Sequence, residues 1–138
     1  MKIDLTPLKK ALASLSEAIT STTDIEFMAS LSASQRRTMR AGVIQNFEFT
    51  YELSWKMLRR QLKSEEGDDH VTRLSRKDLY RLAAQKGIID DPESWFVFHQ
   101  GRNETSQTYD EKTANDIYRL VLDFLPVAEK LYKELVVR

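Results

Sequence analysis

Large apolar residues recur at steps of three or four positions through the first half of the chain. The series comprises Met39, Val43, Phe47, Tyr51, Trp55 (or Ser54 at that step), Leu58 and Leu62. Because an α-helix turns about every 3.6 residues, this spacing puts the whole series on one helix face. Apolar residues at Ile44, Phe49, Leu53 and Met57 widen that face, so we expect a long helix that is buried on more than one side. Its predicted N-cap is Ser34.

Helical spacing also dominates the chain on both sides of this segment. Before it, one helix face is formed by Leu5, Leu8, Leu12, Leu15 and Ile19. Pro7 lies in the first turn of this helix, where a missing N–H is tolerated. The polar run 20–24 leaves open whether this helix stops there or continues through Met28. Residues 63–72 are mostly charged and contain a glycine, so we predict a loop there.

Capping signals delimit the next two helices. Ser75 and Asp78 resemble a capping box at the start of a short helix, which Gly87 ends. Asp91 followed by Pro92 is typical of the N-cap and first position of another helix. We expect that helix to carry three large aromatic residues.

The last predicted helix begins near Asp110 and extends through Leu135. Pro126 lies inside it and should kink it rather than end it, because the apolar periodicity resumes at once. No segment alternates as a strand would. The sequence therefore predicts an all-α protein, an up-and-down antiparallel four-helix bundle with an additional short helix, in a single helical-bundle domain over residues 1–138.

Composition excludes several kinds of site. The 138 residues include no cysteine and two histidines, His70 and His99, so neither a disulfide nor an ordinary zinc site is expected. With 21 basic and 21 acidic residues the formal charge is zero, and no strong overall field attracts nucleic acid or membrane. The apolar runs are far shorter than the roughly 20 residues of a membrane helix, and the start of the chain does not resemble a secretory signal. We therefore expect no metal, no membrane association and a cytoplasmic location.

The segment 100–111 is almost free of aliphatic residues in a chain otherwise patterned for burial. One interpretation is a polar, capped connection between two helices. The other is an anion or nucleotide site. Arg102 offers a planar fork that matches phosphate, Asn103 and Gln107 offer neutral donors, and Tyr109 offers a hydroxyl. The residues alone leave both interpretations open.

Four stretches of the chain resemble one protein family. Residues 102–111, Arg-Asn-x-Thr-Ser-x-Thr-Tyr-x-Glu, are similar to the signature of the nucleotidyltransferase substrate-binding proteins, the HepT-like branch of the HEPN superfamily. Residues 47–56 resemble the family's Phe-Glu…Glu-Leu-x-Trp-Lys helix, residues 75–86 its short third helix, and residues 87–95 its Gly-Leu-Ile-Asp…Trp turn. The similarity covers roughly residues 40–125, in the same order.

The resemblance implies a bundle that forms a homodimer and works with a small nucleotidyltransferase of the minimal MntA type. In the toxin–antitoxin members, the bundle is a ribonuclease toxin, and the partner silences it by transferring AMP to a tyrosine of the motif. That position is Tyr109 here. The resemblance thus implies no cofactor in the isolated chain, ATP and magnesium supplied with the partner, and RNA or a nucleotide as ligand.

The chain departs from the ribonuclease motif Arg-x4-His-x-Tyr at one position. It reads Arg102, Gln107 and Tyr109, so glutamine stands where the motif has histidine. Histidine titrates near neutral pH and an amide does not, and loss of a general acid–base typically costs about 10²–10⁴-fold in rate. His99 could take the role, although we favour a structurally satisfied histidine. Arg102, Gln107 and His99 are thus candidates, and no catalytic residue is assigned.

Two charged groups lie on the long predicted helix. Arg36, Arg37 and Arg40 form a small basic cluster near its start. We interpret this cluster as a solvated face, with a phosphate or partner contact as the alternative.

Glu48 and Glu52 are four residues apart on a mostly apolar helix. Residues at this spacing share one face. They could pair with Arg102 or Lys56, which is the interpretation we favour, or line the site.

Three classes of function remain. The first is a non-catalytic binding subunit of a nucleotidyltransferase, in which Arg102 clamps phosphate, Asn103, Gln107 and Glu52 complete the site, and Tyr109 accepts AMP. The second is a ribonuclease toxin, regulated by AMP transfer to Tyr109. The third is a structural dimerisation bundle.

Overall fold

Four long helices build an antiparallel up-and-down bundle in the computed structural model, which describes residues 2–138. They are α1 (Thr6–Thr23), α3 (Ala33–Glu66), α6 (Pro92–Glu104) and α7 (Glu111–Val137). Three shorter helices connect them, α2 (Ile25–Ala29), α4 (Asp68–Thr72) and α5 (Arg76–Gln85), and a 3₁₀ turn (Thr105–Gln107) joins α6 to α7. Residues 2–138 contain no strand, so the predicted fold class is confirmed, with α5 as the additional short helix.

The junction of α1 and α2 resolves a boundary that the sequence left open. Thr20 and Thr23 donate their hydroxyls to carbonyls one turn back, at 2.8 Å each, and this keeps the polar run helical to its end. Asp24 is then extended, and its carboxylate accepts a hydrogen bond from the Phe27 N–H at 3.0 Å. Asp24 therefore ends α1 and caps α2.

The N-cap of α3 is Ser32, so the predicted cap at Ser34 is wrong. The Ser32 hydroxyl accepts from the Gln35 N–H at 3.1 Å, and the Gln35 side chain accepts from the Ser32 N–H at 2.8 Å. This reciprocal pair is a complete capping box. A cap at Ser34 would put Arg37 at the reciprocal position, and a guanidinium has no acceptor to offer.

The predicted loop at residues 63–72 is also wrong. Helix α3 continues to Glu66, the chain turns at Gly67 with φ 96°, and α4 follows at once. Lys63 pairs with Asp68 across this turn at 3.2 Å, and Val71 is fully buried. The charged side chains face outward while the valine enters the core, so polar composition did not prevent helix formation.

The other capping predictions agree with the hydrogen bonds. Ser75 accepts from the Asp78 N–H at 3.1 Å. The N–H groups of Gly87 and Ile88 close the end of α5 on the two carbonyls expected of a Schellman motif. Asp91 accepts from the Glu93 N–H at 3.0 Å at the start of α6.

Helix α7 begins after Asp110, which accepts from the Thr113 N–H at 3.2 Å, and continues past Pro126 without ending. No helix within residues 2–138 has both the length and the apolarity needed to cross a membrane.

An aromatic cluster lies where α3, α6 and α7 meet. Phe124 on α7 packs edge-on against Phe47, Trp95 and Phe98, with ring centroids 5.0, 5.9 and 5.1 Å away. These side chains are buried, and edge-to-face pairs add to the free energy of area burial. The cluster fixes α6 against α3, and this brings the last turns of α6 to the polar side of α3.

Candidate functional site

The polar segment 100–111 divides into three structural parts. Its first residues complete α6, Thr105–Gln107 form the 3₁₀ turn, and a short connection carries Tyr109 to the cap of α7. Gly101 is buried against α7, and a Cβ added there would lie 2.1 Å from the Leu120 Cδ2. This close approach holds the end of α6, and hence Arg102, near α7 and the polar side of α3.

The Arg102 guanidinium lies between two carboxylates of α3. Its Nη1 is 3.9 Å from Glu48 Oε2, and its Nε is 3.6 Å from Glu52 Oε1. The Nη1 also donates to the Thr105 hydroxyl at 3.3 Å. The Nε is buried and has no hydrogen-bond partner among the described residues. The sequence left Arg102 and Lys56 as possible partners of these glutamates, and in the structure Arg102 contacts both of them.

This arrangement changes what Arg102 can do as an anion site. Two carboxylates outweigh one guanidinium, so the group carries a formal surplus of one negative charge. A phosphate that approaches Arg102 must either displace a carboxylate or use Nη2, which has no hydrogen bond or ion pair with residues 2–138. Arg102 is therefore oriented by Glu48 and Glu52 before any ligand arrives.

His99 lies one turn before Arg102 on the same helix, and both ring nitrogens have partners. Nδ1 is 3.1 Å from the Tyr51 hydroxyl, and Nε2 is 3.4 Å from the Asn103 side-chain nitrogen. Burial lowers the pKa of His99, the Arg76 and Arg102 charges lower it further, and Glu52 opposes them. These influences together favour the neutral form of the ring. It could accept a proton, but it is poorly suited to donate one.

The Tyr51 hydroxyl that contacts His99 belongs to a buried hydrogen-bond network. The Tyr51 and Tyr80 hydroxyls are 2.6 Å apart, and Arg76 Nη1 donates to Tyr51 at 3.2 Å. Burial raises the pKa of both tyrosines, so both hydroxyls stay protonated. The Arg76 guanidinium also lies 3.9 Å above the Trp55 ring, a cation–π contact.

Sequence reasoning missed this network. Tyr51 was assigned to the apolar face of the long helix, where its ring does pack. A tyrosine at a core position needs a hydroxyl partner, and that requirement was the available signal. Its partners lie on α5 and α6, so their identity depends on tertiary packing.

The structure places the two amide side chains of the motif, Asn103 and Gln107, in different surroundings. Asn103 contacts His99, whereas the Gln107 side chain is exposed and has no hydrogen bond with residues 2–138. The structure thus groups Arg102, Asn103 and His99 with Glu52, and leaves Gln107 on the 3₁₀ turn.

Tyr109 borders a separate open groove. Its side chain is 89% exposed, and its hydroxyl has no hydrogen bond with residues 2–138. The groove has a volume of about 590 Å³ and lies between the first half of α3 and the start of α7. Its charged and aromatic lining residues are Arg37, Arg40, Glu48, Phe49, Tyr109 and Glu111. Glu48 contacts Arg102, so the groove adjoins the Arg102 group.

Metal ligation has no candidate in the described part of the chain. Residues 2–138 contain no group of three or more histidine, aspartate or glutamate side chains placed to hold a metal ion. The charged contacts of the site are ion pairs between side chains.

Comparison with known proteins places this geometry in a family. The family model described as "Nucleotidyltransferase substrate binding protein like" matches residues 3–137. The chain belongs to this family. The match includes all the helices described above, and therefore the segments that carry Arg102, Glu52 and Tyr109.

Individual relatives agree. A protein of Haemophilus influenzae named "Probable ribonuclease HepT" is 35% identical over 135 residues, which is 97% of this chain and 92% of that protein. A solved Haemophilus influenzae structure, described as the fold of a substrate binding domain of a nucleotidyltransferase, is similar with a TM-score of 0.92 and 34% identity, over 96% of this chain and 98% of that one. A Thermus thermophilus structure has a TM-score of 0.72 and 29% identity, over 93% and 98%.

Proposed function

We propose that this nucleotidyltransferase substrate-binding protein is a non-catalytic subunit that pairs with a minimal, MntA-type nucleotidyltransferase and presents Tyr109 to it as the acceptor of AMP. The observation that carries the proposal is the 89% exposure of the Tyr109 side chain beside an open groove. A tyrosine that another enzyme modifies must be reachable, and within residues 2–138 this one is the most exposed of the large apolar or aromatic side chains.

The transfer itself would use groups that the partner supplies. The Tyr109 oxygen attacks the α-phosphorus of ATP, an O–P bond forms, the bond to the β-phosphate breaks, and pyrophosphate leaves. The phenolic proton goes to a base. No group within residues 2–138 bonds to that hydroxyl, and a hydroxyl needs a base or a metal to become a nucleophile. The nucleotidyltransferase therefore brings the base, ATP and magnesium, and this chain brings no cofactor.

In this proposal the Arg102 group holds the substrate or nucleotide. Arg102 would bind phosphate through its Nη2 while Glu52 fixes its orientation. Asn103 and Gln107 would add neutral hydrogen bonds. The protein would act in the cytoplasm as a homodimer, and its pairing with a nucleotidyltransferase would be that of a HEPN-type toxin–antitoxin system.

The test is mass spectrometry after incubation with a nucleotidyltransferase encoded beside this chain, ATP and magnesium. We expect one AMP group on Tyr109 and none on a Tyr109→Phe variant. Tyr132, half-buried on α7, provides the matched control, because Tyr132→Phe should leave the modification intact. An unmodified Tyr109 under conditions in which the enzyme transfers AMP to another acceptor would count against the proposal.

A second candidate, a metal-independent ribonuclease, is favoured by one observation. His99 lies one turn from Arg102 and burial lowers its pKa, and a neutral imidazole could take the proton from a 2′-hydroxyl. Against this candidate, the His99 Nε2 already lies 3.4 Å from the Asn103 side-chain nitrogen. In addition, Gln107 stands where the ribonuclease motif has histidine.

RNA cleavage by the isolated chain separates the two candidates. The binding subunit predicts no cleavage by the unmodified chain and a gain in the Gln107→His variant. Robust cleavage that Arg102→Ala abolishes would establish the ribonuclease and overturn the non-catalytic role. The third candidate, a structural dimerisation bundle, would be favoured by copurification from its own cells without a nucleotidyltransferase, together with no binding of a nucleotide at millimolar concentration.

A further inference from the structure

We propose that the groove beside Tyr109 is a nucleoside-monophosphate site, in which Arg37 and Arg40 bind the phosphate of the AMP group that Tyr109 carries. This inference rests on the proposed function. It adds a place for the transferred group within this chain and a role for two arginines outside the motif.

The first argument is uncommitted positive charge. Arg37 and Arg40 are three residues apart on α3 and line the same groove. Neither side chain forms a hydrogen bond or an ion pair with residues 2–138. Their neighbour Arg36 contrasts with them, because its Nη1 donates to the Leu31 carbonyl at 2.5 Å and so closes the α2–α3 junction. Two free guanidiniums on one face can bind a phosphate with charge-assisted hydrogen bonds.

Two acidic residues, Glu48 and Glu111, also line the groove, but neither forms an ion pair with Arg37 or Arg40. Glu48 is in ion-pair contact with Arg102 at 3.9 Å. Glu111 belongs to the first turn of α7, where the helix dipole favours a carboxylate. Glu48 therefore already contacts a cation and Glu111 has a favourable place at a helix N-terminus, whereas neither Arg37 nor Arg40 has a carboxylate partner within residues 2–138.

The second argument is exposed aromatic surface in the same groove. Phe49 is 60% exposed and Tyr109 is 89% exposed, and both line the groove. Phenylalanine is costly to leave in water, and aromatic rings stack on nucleobases with little dependence on base identity. Polar side chains that could contact a ribose or a base edge also line the groove, namely Thr38, Gln45 and Asn115.

The third argument is size and attachment. The volume of about 590 Å³ lies within the range of small-molecule sites. A phosphodiester on the Tyr109 oxygen would be tethered at the mouth of this groove, so binding would be intramolecular and a weak intrinsic affinity would suffice. The occupied groove would border Glu48 and thereby the Arg102 group. AMP on Tyr109 would thus cover one approach to Arg102.

The experiment measures binding of free AMP to the unmodified chain by NMR titration, with the shifts of groove residues as the readout. The test variant is Arg37→Ala with Arg40→Ala. The matched control is Arg73→Ala with Lys133→Ala, which removes the same charge from exposed positions outside the groove. Adenosine, which lacks the phosphate, is titrated in parallel.

We expect shifts at Phe49, Tyr109 and Asn115 with AMP, an affinity at least about tenfold lower in the test variant, an unchanged affinity in the control, and weaker binding of adenosine. The variant Arg37→Lys with Arg40→Lys keeps the charge and should retain part of the affinity.

Three results would overturn the inference: no binding of AMP, equal binding by the test variant, or shifts that centre on Arg102 instead of the groove. A test variant that changes the oligomeric state and leaves AMP binding intact would assign the groove to a second copy of the chain. No nucleotidyltransferase is present, so a failure of AMP transfer to Tyr109 and a failure of this site are separate outcomes.

Discussion

The two arginine groups of the site differ in what surrounds them. Arg102 belongs to the family motif and is held by Glu48 and Glu52, with its Nε buried. Arg37 and Arg40 belong to no motif, line an open groove, and have no partner for their side chains within residues 2–138. The arginine of the motif is therefore already paired, and the unpaired positive charge lies outside the motif.

The difference suggests a division of roles. A guanidinium between carboxylates stabilises the packing of two helices and offers a ligand one remaining edge. Unpaired guanidiniums contribute little to folding, because exposed charges interact weakly with the rest of the chain, and they can bind an anion without displacing another group. Substitution of Arg102 should therefore lower stability, whereas substitution of Arg37 and Arg40 should lower ligand affinity and leave stability almost unchanged.

The largest effect on stability is expected in the hydroxyl network behind Arg102. Tyr51→Phe removes the buried hydroxyl that contacts Tyr80, His99 and Arg76. These three polar groups would lose a partner, so we expect a loss of about 1–3 kcal/mol in the free energy of unfolding. Urea denaturation measures it.

The control for this prediction is Tyr118→Phe, which removes one half-exposed hydrogen bond to Thr22. Its expected cost is below about 1 kcal/mol. Equal costs for the two tyrosines would mean that the network behind Arg102 contributes no more than a surface hydrogen bond.

The next prediction compares the two arginine groups directly. Arg102→Ala leaves Glu48 and Glu52 on one helix face without their cation, and we expect a loss of about 1–2 kcal/mol in stability. Arg37→Ala with Arg40→Ala should change stability by less than about 0.5 kcal/mol. Thermal or urea unfolding of both variants provides the measurement. A larger loss from the groove variant would show that Arg37 and Arg40 make structural contacts.

The sequence predicted the bundle well because its signals are local. Apolar spacing and side-chain caps such as Asp91 and Asp110 act within one or two turns, and the hydrogen bonds confirm them. The two errors have local causes too. Ser34 competed with Ser32, and only the acceptor on Gln35 decides between them. The charged run 63–72 concealed one buried residue, Val71.

The site was less accessible to sequence reasoning. The motif marked Arg102 and Tyr109, but the contact between Arg102 and both glutamates depends on how α6 packs on α3. Arg37 and Arg40 were interpreted as a solvated face, because nothing in the sequence shows that they share a groove with Tyr109. These residues are fifty or more positions apart in the sequence, and packing of the whole bundle brings them together.

The pH dependence of stability tests the environment of His99. Burial and the Arg76 charge lower the pKa of His99 from its ordinary value of 6.5. As pH falls through 6.5, the unfolded chain binds this proton before the native state does, so stability decreases until the native ring also protonates. Solvent reaches part of the ring, and we expect a loss of less than about 1 kcal/mol. Urea denaturation between neutral and mildly acidic pH should show it, and His99→Gln should remove it.

The smallest predicted effect is also the most direct comparison of the two arginine groups. Arg102 lowers the pKa of His99, and Glu52 raises it. Arg102→Ala removes the first influence and frees the Glu52 charge, so both changes raise the pKa of His99. Arg37→Ala with Arg40→Ala should leave it unchanged, because neither arginine affects this ring. NMR titration of the His99 ring measures both variants, and an equal change in the two would mean that the groove and the Arg102 group form one electrostatic site.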